Sequence, residues 1–384
     1  MADLAAPARR RTGERSSSER GGRVWVTIPA VVGVLCGIGL MMVLSASSVQ
    51  ALRTTGGPWV FFVRQAAWVA AGAVALWVAA KVDYHRWRSV AGILLGLCAV
   101  LLVCVLIPAL GITAGGSSRW LGFGQLRFQP SELAKLGLLL FTADLVARRT
   151  ERRPDHAVLV RPALLATGSV GLLVLLQPDM GTTMILLLVV LAVLFVGGVR
   201  LAHMAALVAA SVASGVVLGL VEGYRRARLF AFVDPWKDPS NTGYQIAQSL
   251  VALGTGHLSG VGLGASRAKW GFLPNAHTDF IFAIIGEELG LLGTILVVAL
   301  FAAFAAVGIR AAVRAPDCFG RLVAAGVTVW VVGQAFINLG AVIGILPVTG
   351  VPLPFVSFGG SSLVITMAAV GILVNVARQG ERSR

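Results

Sequence analysis

The chain has 384 residues, of which 57% are hydrophobic and only 13% charged, about half the charged share of ordinary globular domains. A mean hydropathy of +0.84, with repeated apolar runs of roughly 18 residues or more, excludes a soluble two-domain enzyme and a disordered chain. The formal charge of +15 would suggest a polyanion partner in a soluble chain; here it reads as basic loops that hold a membrane topology, and no nucleic-acid partner is expected.

Residues 1–23 are polar and basic, with neither an early apolar core nor a small-residue cleavage site, and read as a disordered cytoplasmic tail. A helix needs roughly 20 apolar residues to cross about 30 Å of hydrocarbon. About ten such spans follow, near 24–45, 62–81, 89–107, 132–148, 163–177, 181–199, 204–222, 280–307, 322–345 and 361–377. Only Gln177-Pro178-Asp179-Met180 separates the fifth from the sixth. Backbone amides in lipid must pair internally, so these segments predict an all-α, polytopic bundle. It forms one membrane domain over 24–377, with a long extracytoplasmic loop at 223–278 between spans seven and eight and a short cytoplasmic tail at 378–384. The cysteines Cys36, Cys98, Cys104 and Cys318 form no CxxC or Cys/His cluster, so neither a disulfide framework nor a zinc site is indicated.

Ten spans put both termini on one side. With that side inside, 21 of the 32 Lys and Arg residues are cytoplasmic and 11 are not, as the positive-inside rule requires. Six of those 11 fall in the 223–278 loop: Arg225, Arg226, Arg228, Lys237, Arg267 and Lys269. A long, glycine-rich, basic loop on the side that normally avoids arginine points to an anionic ligand, with attraction to lipid headgroups as the simpler alternative.

Ionisable groups in a membrane bundle are functional candidates by default. Pro130-Ser131-Glu132-Leu133-Ala134-Lys135 opens the fourth span; Glu132 and Lys135 share a helix face and can pair, serving either a site or a structural bridge. Arg119 and Trp120 precede it, and Trp120 alone would suit an interfacial anchor. Asp179 sits in a tight hairpin, where it can cap the next helix. Asp279, in His277-Thr278-Asp279 at the mouth of the eighth span, can be a general base or an N-cap. Glu287 and Glu288 lie two turns deeper, roughly 12 Å along the axis, and read as structural before catalytic. The stretch 344–362, GILPVTGVPLPFVSFGGSS, is a rigid non-helical segment that either lines a cavity or forms an ordinary loop. No P-loop and no HExxH occur.

Together SRWLGFGQLRFQPSELAK, QPDMGT, GLGASRAKWGFLPNAHTDFIFAIIGEELG and NLGAVIGILPVTGVPLPFVSFGGSS resemble the SEDS family of polytopic cell-wall polymerases, FtsW, RodA and SpoVE, over nearly the whole chain. The third motif is closest to the division member, although VTGVPLPFVSFGG is also typical of the elongation member. GHLSGVGLG departs from the paired glycines that are usual in the family. The resemblance implies a peptidoglycan glycosyltransferase that polymerises lipid II at the outer face of the bacterial cytoplasmic membrane, enriched at the division septum, and releases undecaprenyl diphosphate. It assigns Asp279 as the essential acid and carries Arg119, Trp120, Glu132 and Lys135 into the substrate site. Asp179, Arg228, Lys269, His277 and Ser357 are the further substrate-binding candidates, with Arg228, Lys269 and Arg119 for the diphosphate. A divalent cation, Mg or Mn, at the diphosphate is the one cofactor left open. The implied partners are a class B penicillin-binding transpeptidase and other divisome proteins. A lipid II flippase, a scaffold, and an elongation-type polymerase stay as alternatives.

Overall fold

The structure is a computed structural model that describes residues 24–383, apart from 115–116, 124–125, 153–155, 222, 224–225, 227–230, 239 and 242. Its helices are α1 (Val24–Thr55), α2 (Val60–Lys81), α3 (Tyr84–Leu106), α4 (Pro130–Arg152), α5 (His156–Leu175), α6 (Met180–Val196), α7 (Leu201–Val221), α8 (Tyr244–Thr255), α9 (Ile281–Val313), α10 (Cys318–Val342) and α11 (Gly360–Arg382). All except α8 coincide with the predicted spans, though α1 and α9 run beyond their expected ends. The protein is a polytopic helical membrane protein. By length and composition α1, α2, α3, α9, α10 and α11 can each cross a bilayer, while α5, α6 and α7 contain shorter apolar stretches.

Local chemistry sets several helix starts. Asp83 accepts the His85 amide at the head of α3, Asp179 the Thr182 amide at α6, and Asp317 the Gly320 amide at α10. Between helices in lipid, association rests on close packing more than on the hydrophobic effect. Gly371 shows this: a Cβ there would come within 2.4 Å of the Leu76 carbonyl oxygen, so only glycine lets α11 lie this close to α2. The two central helices are α10 and α11, with 72% and 78% of their apolar windows buried, against 11% for α2. Helix α4 is charged, carrying Glu132, Lys135 and Asp144, and it packs on α3, α6 and α10.

Two features depart from a plain helical bundle. Residues 112–128 form a small antiparallel sheet, β1 (Ile112–Ala114), β2 (Ser117–Phe123) and β3 (Leu126–Phe128), with Ile112 opposite Trp120 and Leu121 opposite Phe128. The second is a break in α9 at Gly290 (φ 66°, ψ −160°). Around it the carbonyls of Glu287 and Glu288 accept from Val261 and Gly262 at 2.9 and 3.1 Å, while the amides of Leu291 and Leu292 donate to His257 and Leu258 at 3.0 and 3.2 Å. The 256–262 turn thus completes the interrupted helix, which is how irregular backbone survives in a membrane protein. A Cβ at Gly290 would lie 2.4 Å from the Gly260 nitrogen, so the break requires glycine. The 223–278 segment is therefore not a structureless loop: it contains α8 and a turn docked against α9.

Candidate active site

The first residues of α2, α4, α6, α9 and α11 lie at one end of the bundle, with the sheet beside them. A cavity of about 690 Å³ opens among these elements. Its cations are Arg64 from α2, Arg119 from β2 and Arg127 from β3; its carboxylates are Glu132, Asp179 and Asp279. Trp68, Trp120 and His277 complete much of the remaining wall.

Asp279 lies half-buried just before α9. Phe280, not Asp279, occupies the N-cap position of that helix, which has no side-chain capping bond. The backbone around Asp279 is held by two other elements. The His277 carbonyl accepts from the Phe358 amide at 3.0 Å, Thr278 from the Ser357 hydroxyl at 2.6 Å, and Asp279 from Asn338 Nδ2 at 2.7 Å. Asn338 also donates to the Val351 carbonyl at 2.8 Å, tying α10 to the 350–352 wall. Three consecutive carbonyls are thus clamped from two other elements, which aims the Asp279 side chain before any ligand arrives. A Cβ on Gly350 would sit 3.7 Å from Asp279 Oδ2, so the cavity wall and the carboxylate are close neighbours.

His277 is buried against Phe61 and Phe358, with ring centroids 5.1 and 5.7 Å away, and its Nδ1 has no hydrogen-bond partner. Burial pushes its pKa down to about 4, so the ring is neutral near pH 7. Asp179 Oδ2 accepts from the Thr182 hydroxyl at 2.8 Å and from Gln129 Nε2 at 3.1 Å, and Arg119 Nη1 lies 3.9 Å from Oδ1. Arg119 donates as well to the carbonyls of Gln177 and Pro178. Capping and cavity lining are therefore both true of Asp179.

Glu132 reaches the cavity, while Lys135 lies beneath it. Lys135 Nζ meets Glu132 Oε2 at 2.8 Å and Gln334 Oε1 at 2.9 Å, and sits 5.0 Å from the Trp330 ring centroid. With Lys135 1% exposed, the pair is a buried bridge and Lys135 acts through Glu132.

Two expected ligand contacts are placed elsewhere. Lys269 is buried outside the cavity lining, held by Glu288 Oε1 at 3.3 Å, Ser45 Oγ at 3.2 Å and the Gly264 carbonyl at 2.5 Å. Its charge is satisfied inside the fold. Glu287 completes this anchor by accepting from the Ser266 hydroxyl at 2.5 Å and the Arg267 amide at 2.9 Å, so both acids hold the loop. Ser357 uses its hydroxyl on Thr278 and Leu353 instead of facing the cavity. Arg228 lies outside the described residues. Conversely, Arg64 and Arg127 line the cavity although neither stood out in the sequence. Arg64 stands alone in an apolar run, and Arg127 sits inside the SRWLGFGQLRFQPSELAK stretch among more conspicuous neighbours.

A dedicated divalent-cation cage does not fit these side chains. Among the described residues no group of three or more His, Cys, Asp or Glu converges on a point, and Glu132 and Asp179 already serve Lys135 and Thr182.

The sequence model of the FtsW/RodA/SpoVE cell cycle proteins matches residues 26–382. A protein of Thioalkalivibrio sulfidiphilus named "Probable peptidoglycan glycosyltransferase FtsW" is 44% identical, covering 99% of this chain and 96% of its own. Stage V sporulation protein E of Bacillus subtilis is 41% identical over 90% of this chain and 94% of its own. Among solved structures, a chain from a peptidoglycan synthase complex that coordinates polymerization and crosslinking superposes with a TM-score of 0.75 at 30% identity, covering 92% of this chain and 97% of that one. The rod shape determining protein RodA of Thermus thermophilus gives 0.67 at 28% identity, covering 92% and 96%. A full-length match in sequence and the same arrangement of helices lead to one conclusion: the chain belongs to the FtsW/RodA/SpoVE family.

Proposed function

We propose that the cavity is the glycosyl-transfer site of a division-type peptidoglycan glycosyltransferase, which joins the disaccharide of lipid II to a glycan strand and releases undecaprenyl diphosphate. The observation that carries the reading is the Asp279 carboxylate, carried on a clamped backbone, in a cavity lined by three arginines.

An acceptor sugar 4-hydroxyl is a weak nucleophile near neutral pH. Asp279 takes its proton as the hydroxyl oxygen bonds to the anomeric carbon of the donor. The bond from that carbon to the diphosphate oxygen breaks with its electron pair, and negative charge grows on the departing group. Arg64, Arg119 and Arg127 hold that charge. Single displacement inverts the anomeric carbon, and Asp279 then returns its proton to solvent. Neutral His277 leaves the positive charge of the cavity to the arginines. The undecaprenyl chain stays in hydrocarbon throughout, since exposing it would cost about 0.8 kcal/mol per methylene.

The excess of basic residues at the opposite end of the bundle supports a cytoplasmic position for both termini and an outward-facing cavity. One relative's place in a complex that coordinates polymerization and crosslinking supports a crosslinking partner here, a class B penicillin-binding transpeptidase at the division septum with other divisome proteins. The test is polymerisation of labelled lipid II by the purified chain with its cognate transpeptidase. Glycan polymer formed by the natural chain and lost in Asp279→Asn supports the reading. Translocation of lipid II in vesicles without any polymer would replace it with a flippase.

A further inference from the structure

At the end of the bundle opposite the cavity, the C-termini of α2 and α11 meet the N-terminus of α3. A cleft of about 500 Å³ opens there, and Lys81, Asp83, Asn375, Arg378, Gln379 and Arg382 line it. Its polar frame is rigid. Asn375 Nδ2 donates to the Ala80 carbonyl at 2.8 Å, and Asn375 Oδ1 accepts from the Tyr84 amide at 3.1 Å and Gln379 Nε2 at 2.9 Å.

The cleft has an excess of unanswered positive charge. Its carboxylate, Asp83, is engaged by the His85 amide at 2.9 Å and ring at 2.8 Å, contacts that hold its carboxyl below the usual range. Among the described residues, none of Lys81, Arg378 and Arg382 forms an ion pair, and Arg378 Nε is buried without a hydrogen-bond partner. A basic residue at a helix C-terminus is favoured by the helix dipole. That accounts for Lys81 and Arg382 singly, but not for three cations converging on one cleft.

The surroundings identify the ligand class. Lys81 Nζ lies 5.7 Å from the ring centroid of Trp77, which is 61% exposed. Val74 and Val78, also exposed, continue that apolar stripe up α2 toward the middle of the span. Cations at the membrane boundary above an exposed aromatic and aliphatic track suit an amphiphile with an anionic head. We propose that this cleft binds the phosphate headgroup of an anionic phospholipid, with the phosphate on Lys81, Arg378 and Arg382 and an acyl chain along Trp77, Val74 and Val78. The site is independent of the sugar-transfer reading.

The test is native mass spectrometry of the purified full chain in detergent, titrated with phosphatidylglycerol, cardiolipin or phosphatidylcholine. The natural chain retains the anionic lipids at least about fivefold better than phosphatidylcholine, and the Lys81→Gln/Arg382→Gln variant falls to the phosphatidylcholine level. Both side chains are exposed, and an unchanged melting temperature confirms folding. Arg86→Gln/Arg321→Gln removes two exposed cations outside the cleft and leaves retention intact. Equal retention by the cleft variant, or equal loss in the control variant, overturns the site. Displacement of phosphatidylglycerol by millimolar inorganic phosphate, with no preference for lipid, overturns the lipid as occupant in favour of a soluble anion.

Discussion

Replacing Asn338 with leucine tests whether backbone clamping is what makes Asp279 effective. Asn338 is 2% exposed, does not line the cavity, and donates to two carbonyls, those of Asp279 and Val351. Leucine has nearly its shape and no donor. Each buried carbonyl left without a partner costs about 1–3 kcal/mol. Loss of the unpartnered Asn338 Oδ1 returns part of that, so the expected destabilisation is about 2–4 kcal/mol. The larger effect falls on turnover. Freed from α10, the Asp279 peptide shifts, and a displacement of about 1 Å at a reacting group costs about 100-fold in rate. Polymerisation of labelled lipid II should therefore fall about 100-fold in kcat, with KM changed less than about threefold because no cavity-lining side chain has been removed. A variant that melts lower yet polymerises within about threefold of the natural rate would refute the clamp argument.

Other predictions follow from the same geometry. Arg127→Gln removes an exposed cavity cation, so KM for lipid II should rise about tenfold at unchanged melting temperature. Glu132→Gln strands the buried Lys135 charge and should cost about 3–5 kcal/mol; Glu132→Gln/Lys135→Met should recover most of it in thermal unfolding. His277 titrates near 4 when folded and near 6.5 when exposed. Because the folded value is the lower one, stability is complete above pH 6.5 and is lost as pH falls toward 4, by about 3 kcal/mol. Melting temperature in detergent between pH 7.5 and 4.5 should show this loss, and His277→Gln should remove it.

Hydropathy made the spans legible because a bilayer imposes a minimum apolar length. Helix α4 was readable despite its charge, since Pro130-Ser131-Glu132 marks a helix start. The small sheet is not legible from hydropathy, although the sequence carries Gly115-Gly116, a pair common in hairpins, beside its first strand. Lys269 shows a physical limit of sequence reading. Its excess charge looked ligand-directed, but Glu288 meets it through a turn that folds back onto α9, and sequence separation does not show such a return. Glu287 and Glu288, which the sequence suggests are structural before catalytic, hold the 264–269 stretch against α9 in this structure. Arg64 and Arg127 illustrate the converse: isolated arginines near helix and strand ends became a cluster only when tertiary packing brought them together.

The Gly290 interruption has a mechanical consequence. Four main-chain bonds join the 256–262 turn to α9 on both sides of the break, so the turn and the outer end of that helix move as one piece. Leu258 on the turn and Leu263 just after it stand 63% and 60% exposed, offering a handle on the outside of the bundle. The turn is thereby continuous, through main-chain bonds, with the helix that begins just after Asp279.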